Sequence, residues 1–338
     1  MTFRQLHVGR EEQIVDPDIE IVDAHHHLFD RPALRYMFDE YLADVRSGHR
    51  VVASVYVETL AFARADGPEM LRPLGEVEFA NGLGAMSASG VYGDVRLCAA
   101  IVSYADLRLG ASIGDYLDQA IGLAPQRFRG VRQITIDDPR EAPYRFITNR
   151  PPRAVMQHPA FREGFRELGR RGLSFDAAMF HHQLNDLIKL ADAFPETTIV
   201  LNNLGHTMSL DMGEEERKET FSQWKAALSD LGRRSNVMCK VGGLGLPFWG
   251  FGLEERTDPI GSQELATLWR PFVETAIEAF GADRCMMESN YPPDSRSCGY
   301  VPLWNALKTI VRGASTGEKK ALFHDTAMRV YRINKAHG

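Results

Sequence analysis

Short apolar segments alternate with longer amphipathic stretches along almost the whole chain, and this alternation limits the possible folds more than any other feature. Eight segments are apolar and often β-branched, as expected of strands buried on both faces. They span residues 19–25, 51–58, 95–102, 129–136, 173–180, 197–202, 236–242 and 283–289. The stretches between them have helical spacing, and Gly172, Gly232 and Gly281 stand where such helices would end. The sequence therefore predicts strands and helices in strict alternation.

Eight such units within 338 residues predict an α/β fold, a single-domain (β/α)8 TIM barrel. We place the barrel at residues 20–333, behind an N-terminal arm of residues 1–19. A doubly wound open sheet is the alternative, but no G-x-G-x-x-G follows the first strand. Two long irregular inserts, 137–156 and 242–261, follow the fourth and seventh strands. Loops of this length often form active-site walls or lids, although surface decoration would also explain them.

Charge and composition exclude several classes of protein. The net charge of −6 and the pI near 6.0 argue against a nucleic-acid binder, which usually carries a basic face. No apolar run approaches the ~18–20 residues that span a bilayer, and the N-terminus lacks the apolar core of a secretory signal. The four cysteines are scattered, as is typical of reduced thiols. We expect a cytoplasmic protein without membrane or nucleic-acid partners, assembled as a homo- or hetero-oligomer.

The end of the first strand carries the sharpest chemical signal. In a regular strand, residues two apart share a face, so Asp23, His25 and His27 are predicted to point the same way. Two imidazoles on one face at the C-terminal mouth of a barrel can bind one divalent ion, with Asp23 as an orienting group or a further ligand. The alternative is a structural role, in which the histidines lie at a polar strand end and are hydrogen-bonded to the protein.

Other ionisable residues end further strands. His181 and His182 end the fifth strand, and because adjacent residues point to opposite faces, at most one is expected to enter the barrel. Glu58 and Glu288 end the second and eighth strands, where a charge is costly unless it is paired or bound to metal. Glu288 shares a face with Asn290. Each glutamate could instead be the partner of an arginine.

Positive charge at the mouth suggests an anionic substrate such as a carboxylate. Arg132 ends the fourth strand and Lys240 ends the seventh, and the first insert adds Arg145, Arg150 and Arg153. For the three insert arginines, a solvated loop is the simpler explanation.

The second insert contains the aromatic run Phe248-Trp249-Gly250-Phe251. Aromatic side chains on a glycine-rich loop can exclude water and pack on a substrate. We therefore predict that both inserts close over the site and that Trp249 contacts the substrate.

Together these motifs resemble the amidohydrolase-related family, in particular its branch of metal-dependent barrel hydrolases that includes sugar-acid and dicarboxylate lactonases. The resemblance rests on DAHHHLFD, GVRQ, the run from HHQL to LNNLG, KVGGLG, MMESNYPPD and the closing ALFHDTAMRVYRI, and it spans about residues 20 to 333. It implies a barrel with a divalent metal at the C-terminal mouth. It also implies metal binding by His25, His27 and either His181 or His182.

The sequence departs from the family pattern at two positions. Asn203 stands where the family often has a histidine after the sixth strand, and His206, three residues on, cannot be assumed to replace it. Asn290 stands where the hydrolases have an aspartate that binds metal and takes the proton of the attacking water. Since an asparagine cannot act as a general base, either Glu288 has taken over that role or the chemistry is not ordinary hydrolysis.

Several functions remain open at this point. The first is hydrolysis of a small carboxylate-bearing lactone, ester or amide with zinc or manganese, in which Glu288 is the base and either Arg132 or an arginine of the first insert holds the acid group. The second is O₂ activation at a diiron or manganese–iron pair, as in a few relatives of this superfamily, with His25, His27, Glu58, His181 or His182 and Glu288 as ligands. A non-oxidative decarboxylase and a degenerate supporting subunit are further alternatives.

Overall fold

Eight parallel strands form one sheet in the computed structural model of the chain, which describes residues 10–32, 34–147 and 149–334. Each strand lies within or overlaps one of the eight predicted segments. The strands are β1 (Glu20–His26), β2 (Arg50–Val57), β3 (Arg96–Tyr104), β4 (Phe128–Ile134), β5 (Ser174–Ala178), β6 (Ile199–Leu201), β7 (Val237–Val241) and β8 (Cys285–Met287). Each pairs with the next in chain order.

The sheet curls until its first and last strands meet. The amide of Asn290 donates to the carbonyl oxygen of His25 at 2.9 Å, and the amide of His27 donates to that of Tyr291 at 2.7 Å. These bonds lie just beyond the carboxyl end of β8, so the barrel is closed at its mouth. The predicted (β/α)8 TIM barrel is confirmed.

Helices follow the strands and cover the outside of the barrel. They are α1 (Phe38–Val45), α2 (Leu74–Ala88), α3 (Ile113–Leu123), α4 (Phe161–Arg170), α5 (Leu184–Ala193), α6 (Glu214–Leu231), α7 (Ser262–Phe280), α8 (Tyr300–Ile310), α9 (Thr316–Lys320) and α10 (Thr326–Val330). As predicted, Gly172, Gly232 and Gly281 stand at or just past helix ends.

Alternate strand residues fill the two sides of the barrel wall. Val55, Val102 and Met286 belong to an inner apolar cluster, whereas Tyr56, Ile101 and Met287 pack outward in the cluster that includes the helices. This double burial explains why the strands are apolar throughout.

The N-terminal end of the barrel is closed by the last helix and the residues after it. Ala327 and Tyr331 join the inner apolar cluster, and the Tyr331 hydroxyl reaches Asp176 Oδ2 at 2.9 Å. The same Oδ2 pairs with Lys240 Nζ at 2.7 Å, and neither ionic side chain is exposed. A buried polar layer therefore separates the apolar floor of the barrel from its mouth.

The described part of the arm, residues 10–19, lies against the outer helices, where the amide of Val15 donates to Asn305 Oδ1 at 2.8 Å. A short antiparallel hairpin, Phe29–Arg31 with Leu34–Tyr36, follows β1. Within the described residues, no helix is both long and apolar enough to cross a membrane.

Candidate active site

A cavity of about 100 Å³ opens at the carboxyl ends of the strands, where enzymes with this fold hold their active sites. Its walls combine polar residues from strand ends with apolar residues from the two inserts. The lining residues are His27, Phe29, Glu58, Thr59, Arg132, Ile134, Ile136, Phe146, Ile147, Asn149, Ala178, Asn203, His206, Leu246, Phe248, Asn290 and Pro293. Both inserts contribute side chains to this wall, and they therefore lie at the same end of the barrel as His27.

His25 and His27 bring their Nε2 atoms within 3.0 Å of each other. The Nδ1 of His27 lies 2.9 Å from the carbonyl oxygen of Val57, which can only accept, so His27 carries its proton on Nδ1 and a lone pair on Nε2. The Nδ1 of His25 lies 2.8 Å from Glu288 Oε2. Burial lowers the pKa of both imidazoles well below the ordinary value, and nearby Lys240 and Arg132 lower it further. Both rings are therefore neutral at pH 7 and suited to bind a cation.

Asp23 lies on the opposite side of the strand, contrary to the prediction that it shares a face with the two histidines. The pairing of β1 with β2 is irregular between Asp23 and His26, which breaks the two-residue period. The Asp23 carboxylate instead accepts hydrogen bonds from the Ser289 amide at 2.9 Å and from the hydroxyls of Ser289 and Tyr41 at 2.6 and 2.8 Å. It therefore links β1 to β8 and to helix α1, and its oxygens are already engaged.

Glu288 lies behind His25 and does not line the cavity, so the structure supports neither the direct-ligand nor the general-base role expected for it. One carboxylate oxygen faces His25, and the other accepts a 2.8 Å hydrogen bond from Asn203 Nδ2. Burial raises the pKa of Glu288 well above the ordinary value, while nearby Lys240 opposes this shift. A Cβ at Gly242 would overlap the Glu288 side chain, which explains the glycine there. Glu288 is placed to orient its two neighbours.

Two asparagines present amide groups to the cavity, and each is held by a buried carboxylate. Asn203 Nδ2 donates to Glu288, and Asn290 Nδ2 donates to Asp294 Oδ1 at 2.7 Å. Because a carboxylate holds each amide nitrogen, Oδ1 is the acceptor that each asparagine can offer to the cavity. Both residues have positive φ, +48° and +50°, a conformation that asparagine tolerates better than most residues. Burial raises the pKa of Asp294 to about 7.

Arg132 and Glu58 form a buried ion pair on the cavity wall. The Nε of Arg132 donates to Glu58 Oε1 at 2.8 Å, and Nη2 donates to the Glu58 carbonyl oxygen at 2.9 Å. Nη1 lies 3.3 Å from His25 Nε2. The prediction that Arg132 lies at the mouth is confirmed, and Glu58 is its partner, which is the alternative that the sequence left open.

The histidines that end the fifth strand lie outside the cavity. Strand β5 ends at Ala178 and a tight turn starts at His181. His181 Nδ1 accepts a hydrogen bond from the Met208 amide at 3.2 Å, while His182 is exposed and its Nε2 lies 2.8 Å from the carbonyl oxygen of Asp137. Neither imidazole joins His25 and His27, contrary to the expected ligand set.

His206 is the imidazole that the sequence did not identify. Asn203, Leu204 and Gly205 have successive positive φ values of 48°, 59° and 62°, and this sharp turn returns His206 to the cavity wall. Burial lowers its pKa to about 3, helped by Arg132, and its Nδ1 is buried without a hydrogen-bond partner. The only signal in the sequence was its proximity to Asn203.

Lys240 and Trp249 are not among the residues that line the cavity, so its geometry does not support the substrate contacts expected of them. Lys240 is engaged with Asp176 inside the barrel. The Trp249 indole donates to the Gly243 carbonyl oxygen at 2.8 Å and packs against Phe272. Phe248, one residue earlier, is the aromatic residue of this run that lines the cavity.

The convergent imidazoles fit a divalent cation. Each Nδ1 faces a protein oxygen, an arrangement that orients metal-binding histidines in proteins generally. The described residues contain no cluster of three or more His, Cys, Asp or Glu side chains that could hold a metal ion. Further donors would therefore be the amide oxygens of Asn203 and Asn290. Within the described residues, the side chains expected as ligands of a two-metal oxygenase do not lie together.

Comparisons with known proteins agree with this barrel. The family model described as Amidohydrolase matches residues 22–333. The protein y4mH of Sinorhizobium fredii is 37% identical over 206 residues, which cover 61% of this chain and 61% of that protein. An L-fucono-1,5-lactonase of Burkholderia multivorans is 26% identical over 184 residues, or 54% of this chain and 58% of that protein. The chain thus matches about three fifths of the length of these two relatives.

Solved structures share the same fold. An amidohydrolase of Burkholderia multivorans with bound zinc superposes with a TM-score of 0.69 at 21% identity, over 93% of this chain and 99% of that one. A 5-carboxyvanillate decarboxylase of Sphingomonas paucimobilis superposes with a TM-score of 0.55 at 14% identity, over 94% and 100% of the two chains. At these identities the similarity shows the fold.

Proposed function

The chain belongs to the amidohydrolase family, and on this basis we propose that it hydrolyses a small lactone, ester or amide with a divalent cation held by His25 and His27. The observation that carries the proposal is the convergence of the two Nε2 atoms at the barrel mouth, 3.0 Å apart. Asn203 and Asn290 would add amide oxygens. Imidazole nitrogen and amide oxygen donors suit zinc or manganese.

When bound, the cation polarises the substrate carbonyl and lowers the pKa of a bound water toward ~7. The chain's own contribution begins with Arg132. Glu58 engages its Nε and Nη2, so Nη1 is the nitrogen left to donate a hydrogen bond to a carbonyl oxygen as negative charge develops on it.

Among the described residues that line the cavity, Glu58 carries the single carboxylate. We assign it the role of general base. Arg132 holds its Oε1, which leaves Oε2 to take the proton of the attacking water and return it to the leaving oxygen or nitrogen. Asn290 cannot move a proton in this way. His206 is neutral at pH 7 because of its lowered pKa and can orient a water molecule or a substrate hydroxyl.

Three variants and one control test the proposal. We expect His25→Ala and His27→Ala to lose bound zinc or manganese and hydrolysis together. Glu58→Gln should keep the metal and lose at least 10²-fold in kcat, since a general base contributes about 10²–10⁴-fold. His182→Ala removes an exposed imidazole outside the cavity and should change neither quantity. Unchanged metal content in His25→Ala and His27→Ala would refute the metal assignment.

A further inference from the structure

The cavity has a polar floor and an apolar outer wall. The floor carries His27, Arg132 and Asn290, whereas the outer wall consists of Ile136, just before the first insert, Phe146 of the first insert and Phe248 of the second. These wall residues belong to a separate apolar cluster above the barrel, which includes Ile136, Phe146 and Phe248. A bound molecule would therefore place its polar end on the floor and its remaining surface against hydrocarbon.

The arginines of the first insert do not supply charge to this cavity. Each forms an ion pair with an acidic residue of the loops: Arg140 with Asp138, Arg145 with Asp211, Arg150 with Glu141 and Arg153 with Asp137. Their side chains are 41–57% exposed, and none of them lines the cavity. The insert thus turns its positive charge toward solvent and its apolar side chains toward the site.

Arg132 is the one permanent cation among the cavity-lining residues that the structure describes, and its charge is already compensated. Glu58 takes two of its three nitrogens. Beside the reacting carbonyl, a substrate carboxylate would lose its hydration, meet the Glu58 carboxylate and find one guanidinium nitrogen, Nη1, that Glu58 does not engage. A carboxylate on the rest of the substrate would lie among the apolar wall residues, away from the proposed cation and without a cationic side chain as its partner. Burying a charge without a full partner is strongly unfavourable, so the cavity disfavours a second anionic group.

We propose that the substrate is an uncharged lactone or ester that carries a hydrocarbon substituent, with its carbonyl on the floor and its substituent against Ile136, Phe146 and Phe248. This inference rests on the proposed hydrolytic function and replaces the carboxylate-bearing substrate expected from the sequence. In the reaction, water adds to the carbonyl carbon and the ring C–O bond breaks. The leaving oxygen takes one water proton and becomes a hydroxyl, and the acid product loses its proton.

The kinetic test compares neutral γ-lactones of increasing alkyl chain length with a lactone of equal size that ends in a carboxylate. Each added methylene should raise kcat/KM about fourfold until the wall is covered, as expected for ~0.8 kcal/mol per buried CH₂. The carboxylated lactone should be at least ~10-fold poorer than its neutral counterpart. Preference for the carboxylated lactone at low ionic strength would overturn the inference.

Variants of the wall residues test which side chains cause the dependence of kcat/KM on alkyl chain length. Phe248→Ala and Phe146→Ala should each flatten the dependence on chain length. Phe251→Ala is the matched control, because Phe251 belongs to the same insert as Phe248 but packs on Phe272 and does not line the cavity. Equal chain-length dependence in folded Phe248→Ala, folded Phe146→Ala and the parent would contradict the assigned wall.

A binding experiment separates failure of this inference from failure of the proposed function. Calorimetry with 2-alkylcyclopentanones, which have a carbonyl but cannot be hydrolysed, should show affinity that rises with chain length, and a carboxylated cyclopentanone should bind more weakly. Such binding without turnover of any lactone would refute the hydrolase and leave the substrate class intact. Turnover restricted to carboxylated lactones would refute the substrate class and leave the hydrolase intact.

Discussion

Replacing Glu288 by glutamine changes one atom of the side chain. It should disturb the two residues that Glu288 contacts, His25 and Asn203, both of which are proposed to offer a metal-ligand atom to the cavity. The carboxylate faces two groups that can donate, His25 Nδ1 and Asn203 Nδ2, each at 2.8 Å. A glutamine amide has one acceptor and one donor end. If its nitrogen faces His25, the imidazole proton moves to Nε2 and the lone pair is lost. If its nitrogen faces Asn203, that amide must rotate and turn Nδ2 into the cavity.

Either outcome removes one metal-ligand atom from the cavity, His25 Nε2 or Asn203 Oδ1. The side chain at position 288 keeps its shape in both. Substitutions of residues that orient metal ligands typically weaken metal binding by ~10–100-fold, which corresponds to ~1.4–2.8 kcal/mol. We expect a loss in this range for Glu288→Gln, smaller than the loss from removing His25 itself.

Calorimetric titration of chelator-treated protein with zinc at pH 7 measures this loss. Glu141→Gln is the matched control, because Glu141 is an exposed carboxylate that pairs with Arg150 on the outer loop. Circular dichroism establishes that both variants are folded. A folded Glu288→Gln variant whose zinc affinity stays within about twofold of the parent would refute the idea that this carboxylate orients the site.

Three further predictions follow from other contacts. Gly243→Ala should weaken zinc binding, because its Cβ would overlap the Asn203 side chain, whereas Gly252→Ala, at nearly the same φ (+67° against +65°) but with open space around it, should not. Lys240→Met should cost ~3–5 kcal/mol because it leaves Asp176 buried without its cation, or ~4–7 °C in Tm for a chain of this length. The free energy of unfolding should fall as the pH drops from 6.5 to about 4. Burial and Lys308 lower the pKa of His49 to about 4 in the folded chain, so the unfolded chain takes up the proton first. Denaturant titration of His49→Asn should show a smaller fall over the same pH range.

Each of these predictions has an outcome that contradicts it. Equal zinc affinities of the two glycine variants would exclude the contact with Asn203. If Lys240→Met combined with Asp176→Leu is no more stable than Lys240→Met, the loss does not come from an unpaired carboxylate. An identical pH dependence in His49→Asn and the parent would assign the acid sensitivity to other groups.

The strands and the barrel could be predicted because apolar residues on both faces of a strand leave a continuous pattern in the sequence. Asp23 was misplaced because a single irregularity in the pairing of β1 with β2 reverses the face of a side chain, and periodicity assumes a regular strand. His181 and His182 were misplaced for a related reason, since strand β5 ends before them.

His206 lay beyond prediction because its position depends on backbone dihedrals. Three consecutive left-handed residues, of which only Gly205 is a glycine, turn the chain back over the mouth. The sequence alone does not decide whether Glu58 binds a metal or pairs with an arginine. A contact between residues distant in the chain, Arg132 with Glu58, decides that case.

The hydrogen bond that joins Asp23 to the Ser289 amide connects residues 266 positions apart in the sequence. This sequence separation has a consequence for how the chain folds. The seam between β1 and β8 closes only when almost the entire chain is available, and contacts between such distant residues form slowly. A nascent or partly folded chain therefore holds His25 and His27 without Asn290 and Glu288. Ligands that need both sides of the seam stabilise the finished barrel and none of its precursors. Ligand-induced protection from proteolysis would thus report selectively on molecules that have completed folding.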